Sequence, residues 1–219
     1  MKKPFDLHAD YQPDHFEFNA EFKKKVKDII ARYPEGKQQS AVMPLLDLVQ
    51  RQVAEEGAKA HPPYGGWVSR AAMDHIADVL DMHKVKVYEV ASFYSMYNTA
   101  PVGKYLVQFC TTTPCWLCGS DKIVDASKDY LGVGMGETTE DGMFSLMEVE
   151  CLGACVNAPM VQINDDYFED LTADSMKEVL SRLSEGLQPT VGSQTGRKAS
   201  MPSSGPTTMK EQAKKAKVV

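Results

Sequence analysis

Lys104-Tyr105-Leu106-Val107-Gln108-Phe109-Cys110 runs directly into Thr111-Thr112-Thr113-Pro114-Cys115. The first seven residues have the β-rich composition and the length of a strand. The next four read as a short, polar, non-helical loop that ends on a second cysteine. The plan recurs downstream, where a strand over Phe144 to Glu150 runs into Cys151-Leu152-Gly153-Ala154-Cys155. Four residues separate Cys110 from Cys115, three separate Cys151 from Cys155, and thirty-five lie between the pairs. Neighbouring strand ends of one sheet emerge at the same edge. The two loops can therefore meet and present four thiolates around one point. Gly153 frees the second loop for backbone conformations closed to other residues, and N–H groups in such tight loops can point at the sulfurs.

Spacing alone admits more than one chemistry. Cysteine pairs with short internal gaps bind structural zinc as well as iron–sulfur clusters. Cys115-Trp116-Leu117-Cys118 is also a C-x-x-C at a strand-to-helix junction, the pattern of a dithiol oxidoreductase. That reading leaves Cys110, Cys151 and Cys155 without a role. Ordinary burial as a small apolar side chain is the default for Cys118.

Around the loops the pattern is that of a compact α/β domain. Ser120 is expected to cap a helix to about Tyr130, Gly132 to Gly142 to connect, and Met160 to Ile163 to form another strand. Asp165-Asp166 marks a turn before Tyr167-Phe168, and Thr172 caps a last helix with Met176, Val179, Leu180 and Leu183 as its stripe. Upstream, Asn19 precedes a helix with Phe22, Val26, Ile29, Ile30 and Tyr33 on one face, ended by Pro34-Glu35-Gly36. Val42, Leu45, Leu46, Val49 and Val53 mark a second helix. Glu55 to Gly66 is a Gly- and Pro-rich loop, Ser69 caps a third helix, and Tyr88 to Tyr94 is a short fourth. The fold class is thus α+β, a helical bundle followed by a domain with a small mixed sheet. The expected divisions are an irregular 1–17, a helical domain 18–98, a cysteine-bearing domain 99–187 and a flexible tail 188–219. Residues 190–219 carry six Lys/Arg against one Glu, in a Gly-, Ser-, Thr- and Pro-rich context that cannot bury enough apolar surface to fold alone.

The remaining composition excludes several classes. The chain has 219 residues, 43% hydrophobic content and a formal net charge of −6, which does not suggest a nucleic-acid surface. No stretch approaches the roughly 20 apolar residues of a membrane span. All five cysteines fall between 110 and 155, unlike the dispersed even set of a secreted scaffold. The N-terminus has neither the apolar segment of a secretory signal nor the composition of a transit peptide, so an organellar location is expected only for a processed form. His61, His75 and His83 are not spaced with the cysteines. The run Asp165, Asp166, Glu169, Asp170 reads as a turn and solvated edge. Phe93, Tyr94 and Tyr97 read as core or interface.

Taken together, Val102-Gly103-Lys104-Tyr105, the segment Cys110–Cys115, Glu148–Pro159 and Tyr167-Phe168-Glu169-Asp170-Leu171-Thr172 resemble the [2Fe–2S] subunit family of respiratory complex I. Leu45–Gln52 and Val87–Asn98 resemble its N-terminal motifs, and the resemblance runs from about Phe18 to Leu183. It implies a thioredoxin-like [2Fe–2S] ferredoxin domain behind a helical domain, with Cys110, Cys115, Cys151 and Cys155 as cluster ligands. It also implies a partner subunit carrying FMN and NADH, beside other peripheral-arm subunits. The location implied is peripheral, on the matrix side of a mitochondrial inner membrane or the cytoplasmic face of a bacterial one. The same module in an NAD-linked hydrogenase or formate dehydrogenase is the alternative. The family's own chemistry is electron transfer, with NADH oxidation in the partner. Two departures stand out, a long Val53–Gly65 segment and the extra Cys118.

Overall fold

In a computed structural model describing residues 9–202, 204–205 and 207–217, Asn19 caps the first helix, its side chain accepting from the N–H groups of Glu21 and Phe22. The segment 1–8, on which the reading of the N-terminus rests, lies outside the described residues. Contacts divide the chain into two units, Met1–Leu106 with Gly136–Ser145, and Val107–Met135 with Leu146–Val219.

The first unit carries helices α1 (Ala20–Ile30), α2 (Val42–Gly57), α3 (Arg70–Val79) and α4 (Lys84–Phe93). Its core is built from the stripes that the helical period predicts: Phe22 and Val26, Leu45, Leu46 and Val49, Met73 and Ile76, Val87 and Ala91. Each of these side chains but Ala91 stabilises the fold by roughly 1.5–3 kcal/mol when fully buried. Tyr97 closes the core, and its hydroxyl donates to the Met43 carbonyl at 2.9 Å. Ser69 caps α3 as expected. Three boundaries differ from those the sequence suggests. Helix α1 stops at Ile30, before Pro34; α2 continues to Gly57; and α4 begins at Lys84, where His83 caps it by accepting from the Val85 N–H. Val85 and Phe93 stay exposed on α4, so its apolar pattern is a poor guide to its ends.

The second unit is organised by a five-stranded mixed sheet in the order β2-β1-β3-β4-β5. Its strands are β1 (Tyr105–Cys110), β2 (Phe144–Val149), β3 (Val161–Ile163), β4 (Asp166–Glu169) and β5 (Gly192–Ser193), of which β1 and β2 begin in the first unit. β1 pairs antiparallel with β3, Val107 opposite Ile163 and Phe109 opposite Val161. β3 and β4 form a hairpin with Ile163 opposite Asp166, and Asn164 supplies the left-handed turn residue at φ +55°. β4 and β5 run parallel. Helices α6 (Ser120–Leu131) and α7 (Ala173–Ser184) pack on each other through faces that include Ile123 and Ala126, Met176, Val179 and Leu180. Thr172 and Ser175 form a reciprocal cap at the start of α7.

Three expectations for this part are corrected. Thr113 to Leu117 is a short helix, α5, with Pro114 in its first turn, where the missing N–H costs nothing. Gly119, at φ +92°, precedes α6; Ser120 is its first residue and its buried hydroxyl has no hydrogen-bond partner. The chain beyond Gln188 is not free of the domain. β5 joins the sheet, Arg197 pairs with Asp170, and a further helix, α8 (Lys210–Lys215), follows. Strand pairing and paired polar groups tie Gly192 to Arg197 to the domain.

Candidate metal centre

Cys110 is the last residue of β1 and is buried. The chain then turns through Thr111, whose hydroxyl donates to Glu148 Oε1 at 2.6 Å and ties the turn to the end of β2. Thr112 Oγ1 lies 3.2 Å from Cys110 Sγ, where its hydroxyl can donate to a thiolate. Helix α5 carries Cys115 inward, so that Cys115 is also buried. The next two side chains, Trp116 and Leu117, are 62% and 72% exposed, and Cys118 is exposed at the end of α5.

The second loop follows β2. Gly153 takes φ +86°, a left-handed conformation that turns the chain back between the two cysteines. Cys151 Sγ and Cys155 Sγ come to 3.5 Å of one another, both exposed. A tetrahedral metal with bonds of about 2.3 Å to sulfur spans about 3.8 Å between two ligands, so the pair is close to ligating separation. Tyr167 on β4 braces the loop by donating its hydroxyl to the Leu152 carbonyl at 2.8 Å. A single 3₁₀ turn, Cys155–Asn157, ends the loop.

The two loops meet. Leu152 and Ala154 pack against the buried group of Cys110, Cys115 and Met160. The Leu152 backbone N–H also hydrogen-bonds the Cys110 sulfur. Burial pushes the Cys110 thiol up, but hydrogen bonds from the Thr112 hydroxyl, the N–H groups of Leu152 and Thr112 and the Cys115 thiol outweigh it and hold Cys110 below its ordinary value. Cys115 is pushed up to about 12, first by burial and then by donating to Cys110, against an opposing hydrogen bond from the Met160 N–H. Cys155 is raised chiefly by its hydrogen bond with Cys151, with burial and the charges of Cys151 and Cys110 adding. Negative charge at each pair is thus felt at the other.

This donor set fits an iron–sulfur cluster. It offers four soft sulfur ligands from two loops, arranged as two pairs, with N–H and O–H donors aimed at the sulfurs. Among the described residues no three His, Cys, Asp or Glu side chains are grouped as ligands of a single ion. His75 and His83 are engaged elsewhere. His75 packs on the rings of Phe16 and Phe18, and His83 caps α4. Asp170 and Glu169, a solvated edge by their sequence pattern, are instead partners of Arg197 and Asn157. The sequence marks Tyr167 only as following a turn and as part of a family-like segment, and nothing in its local pattern signals a brace.

Residues 26–184 match the family of thioredoxin-like [2Fe–2S] ferredoxins. The chain is 47% identical over 196 residues to NADH dehydrogenase [ubiquinone] flavoprotein 2, mitochondrial, of Dictyostelium discoideum, covering 90% of this chain and 75% of that protein. It is 48% identical over 169 residues to an NADH-quinone oxidoreductase subunit of Rickettsia bellii, covering 77% and 95%. Its fold is similar to that of NAD+-reducing [NiFe]-hydrogenase in the air-oxidized state, with a TM-score of 0.51 at 14% identity over 63% of this chain and 23% of that chain. At that identity the likeness is one of fold alone.

Proposed function

As the chain belongs to the thioredoxin-like [2Fe–2S] ferredoxin family, we propose that it is the electron-transfer subunit of an NADH:quinone oxidoreductase and that Cys110, Cys115, Cys151 and Cys155 hold the cluster. The observation that carries the ligand assignment is the meeting of the two loops, where the Leu152 N–H reaches the Cys110 sulfur and Cys151 faces Cys155 at 3.5 Å. The subunit role rests on the two relatives of 47% and 48% identity.

When bound, the cluster supplies one-electron chemistry. The chain's own residues bind and tune it. Held by these four thiolates, the iron would offer substrate no open position. The Thr112 hydroxyl and the N–H groups of Leu152 and Met160 lie against sulfurs whose negative charge grows on reduction. Burial keeps water from Cys110 and Cys115, whereas Cys151 and Cys155 stand at the surface. The donor and acceptor are then the flavin of a neighbouring subunit that also binds NADH. Other peripheral-arm subunits complete the assembly, and proton translocation belongs to that assembly as a whole. No helix among the described residues is long and apolar enough to cross a membrane. A peripheral place fits this, on the matrix side in a mitochondrion or the cytoplasmic face in a bacterium. The equivalent place in an NAD-linked hydrogenase is the second reading, favoured only by the likeness of fold.

The test is iron and acid-labile sulfide in anaerobically purified full-length chain. Two irons and two sulfides per chain, visible absorption and a rhombic paramagnetic signal on reduction are expected. One zinc without iron would overturn the reading.

A further inference from the structure

Arg197 lies beyond β5, in the segment whose composition predicts no packed structure. It is nevertheless 13% exposed at its side chain and forks onto the carboxylate of Asp170, itself 8% exposed. Nε donates to Asp170 Oδ2 at 3.0 Å and Nη2 donates to Oδ1. The third nitrogen, Nη1, donates to the carbonyl of Val156 at 3.1 Å and to that of Met201 at 3.4 Å. Val156 is the residue after Cys155, so the guanidinium sits one peptide unit from a cysteine of the exposed pair.

The same stretch is pinned at further points. Ser193 Oγ donates to Asp170 Oδ2 at 2.6 Å, and the Gln194 N–H donates to the Glu169 carbonyl at 2.9 Å. Asn157, buried at the end of the cysteine loop, donates from Nδ2 to Glu169 Oε2 at 2.5 Å and to the Ala199 carbonyl at 2.9 Å. Its own carbonyl accepts from the Asp170 N–H at 2.8 Å. A largely buried bidentate Arg–Asp pair is specific in direction and costly to leave half-made.

From this arrangement we infer that residues 192–201 form a strap over the second cysteine loop, and that Arg197 is its positioning and charge-setting residue. The inference rests on the assignment of Cys151 and Cys155 as cluster ligands. Arg197 fixes the Val156 carbonyl and thereby the direction in which the chain leaves Cys155. Asp170 balances the guanidinium charge one for one. Removing Arg197 leaves an extra negative charge beside the cysteine pair and opposes uptake of an electron. Removing the Asp170 carboxylate leaves an extra positive charge and favours it. A brace without an electrostatic role would not give opposite signs.

The experiment uses full-length chain purified anaerobically, as wild type, Arg197→Gln, Arg197→Lys and Asp170→Asn. Iron and sulfide content, midpoint potential and the rate of iron loss to a chelator are read for each. A lower potential in Arg197→Gln, a higher one in Asp170→Asn, and a wild-type-like one in Arg197→Lys are expected. Iron loss in Arg197→Gln should quicken by about tenfold or more. Arg197→Lys keeps the charge but loses the fork, so it too should lose iron faster even where Arg197→Gln fails to fold. Shifts of the same sign, or unchanged potential and iron loss in variants with a full cluster, would overturn the inference and leave the ligand assignment standing. A wild-type chain without iron and sulfide overturns both.

Discussion

The hydroxyl of Tyr167 donates to the carbonyl of Leu152 at 2.8 Å, which ties strand β4 to the turn between Cys151 and Cys155. Tyr167→Phe removes that one bond and keeps the ring. A loss of about 1 kcal/mol is expected, seen as a lower thermal midpoint of the cluster-loaded chain with iron content unchanged at the outset. A midpoint equal to wild type would show that the brace carries no stability.

Cys118 is exposed at the C-terminal end of α5, whereas Cys110 and Cys115 are buried. Cys118→Ser should leave visible absorption and iron content as they are. Serine at Cys110, Cys115, Cys151 or Cys155 should abolish or visibly change the spectrum of the reduced chain. A dithiol mechanism predicts the reverse, with Cys118 essential.

Gly153 sits at φ +86° in open space, since beyond its chain neighbours no atom of the described residues lies within 4 Å of where a Cβ would be. The cost of Gly153→Ala is therefore conformational, about 1–2 kcal/mol. Asn, which tolerates the left-handed region better, should cost less, and Val more. Chemical denaturation of the three variants ranks them; equal losses would argue against the backbone as the cause.

His75 is held below its ordinary value, first by burial and further by Lys23 and His15, while Glu17 and Asp78 oppose. Protonation thus costs more in the folded chain than in the unfolded one. The contribution of a neutral His75 is present above about pH 6.5, its unfolded value, and is lost as pH falls through the lower folded value. Thermal midpoints should fall between about pH 7 and about pH 5, and the fall should shrink in His75→Gln.

Much of the fold and the site is legible in the chain itself. The two cysteine pairs stand out through their short spacing and their strand-end position. The stripes Leu45, Leu46, Val49 and Met176, Val179, Leu180 are periodic because a core has one side. Asn19, Ser69 and Thr172 are caps with a side chain that can only serve locally. The failures share a different physics. Thr113-Pro114 looks like a loop until Pro is allowed its place in a first helical turn. Ser120 looks like a cap, but the preceding Gly119 takes over the turn with a conformation that no periodicity reveals. Arg197 and Asp170 stand 27 residues apart and Tyr167 and Leu152 fifteen. Such contacts are set by the folded sheet and leave no local pattern.

Strand β5 is only two residues long, yet it lies outside β4 and covers the Phe168–Glu169 half of that strand's outer edge. A sheet rim left bare is a template for another copy of the same rim. The segment after Leu187 is therefore also a guard against aggregation. A chain cut there should self-associate at concentrations where the full-length chain scatters little light, whether or not it carries a cluster.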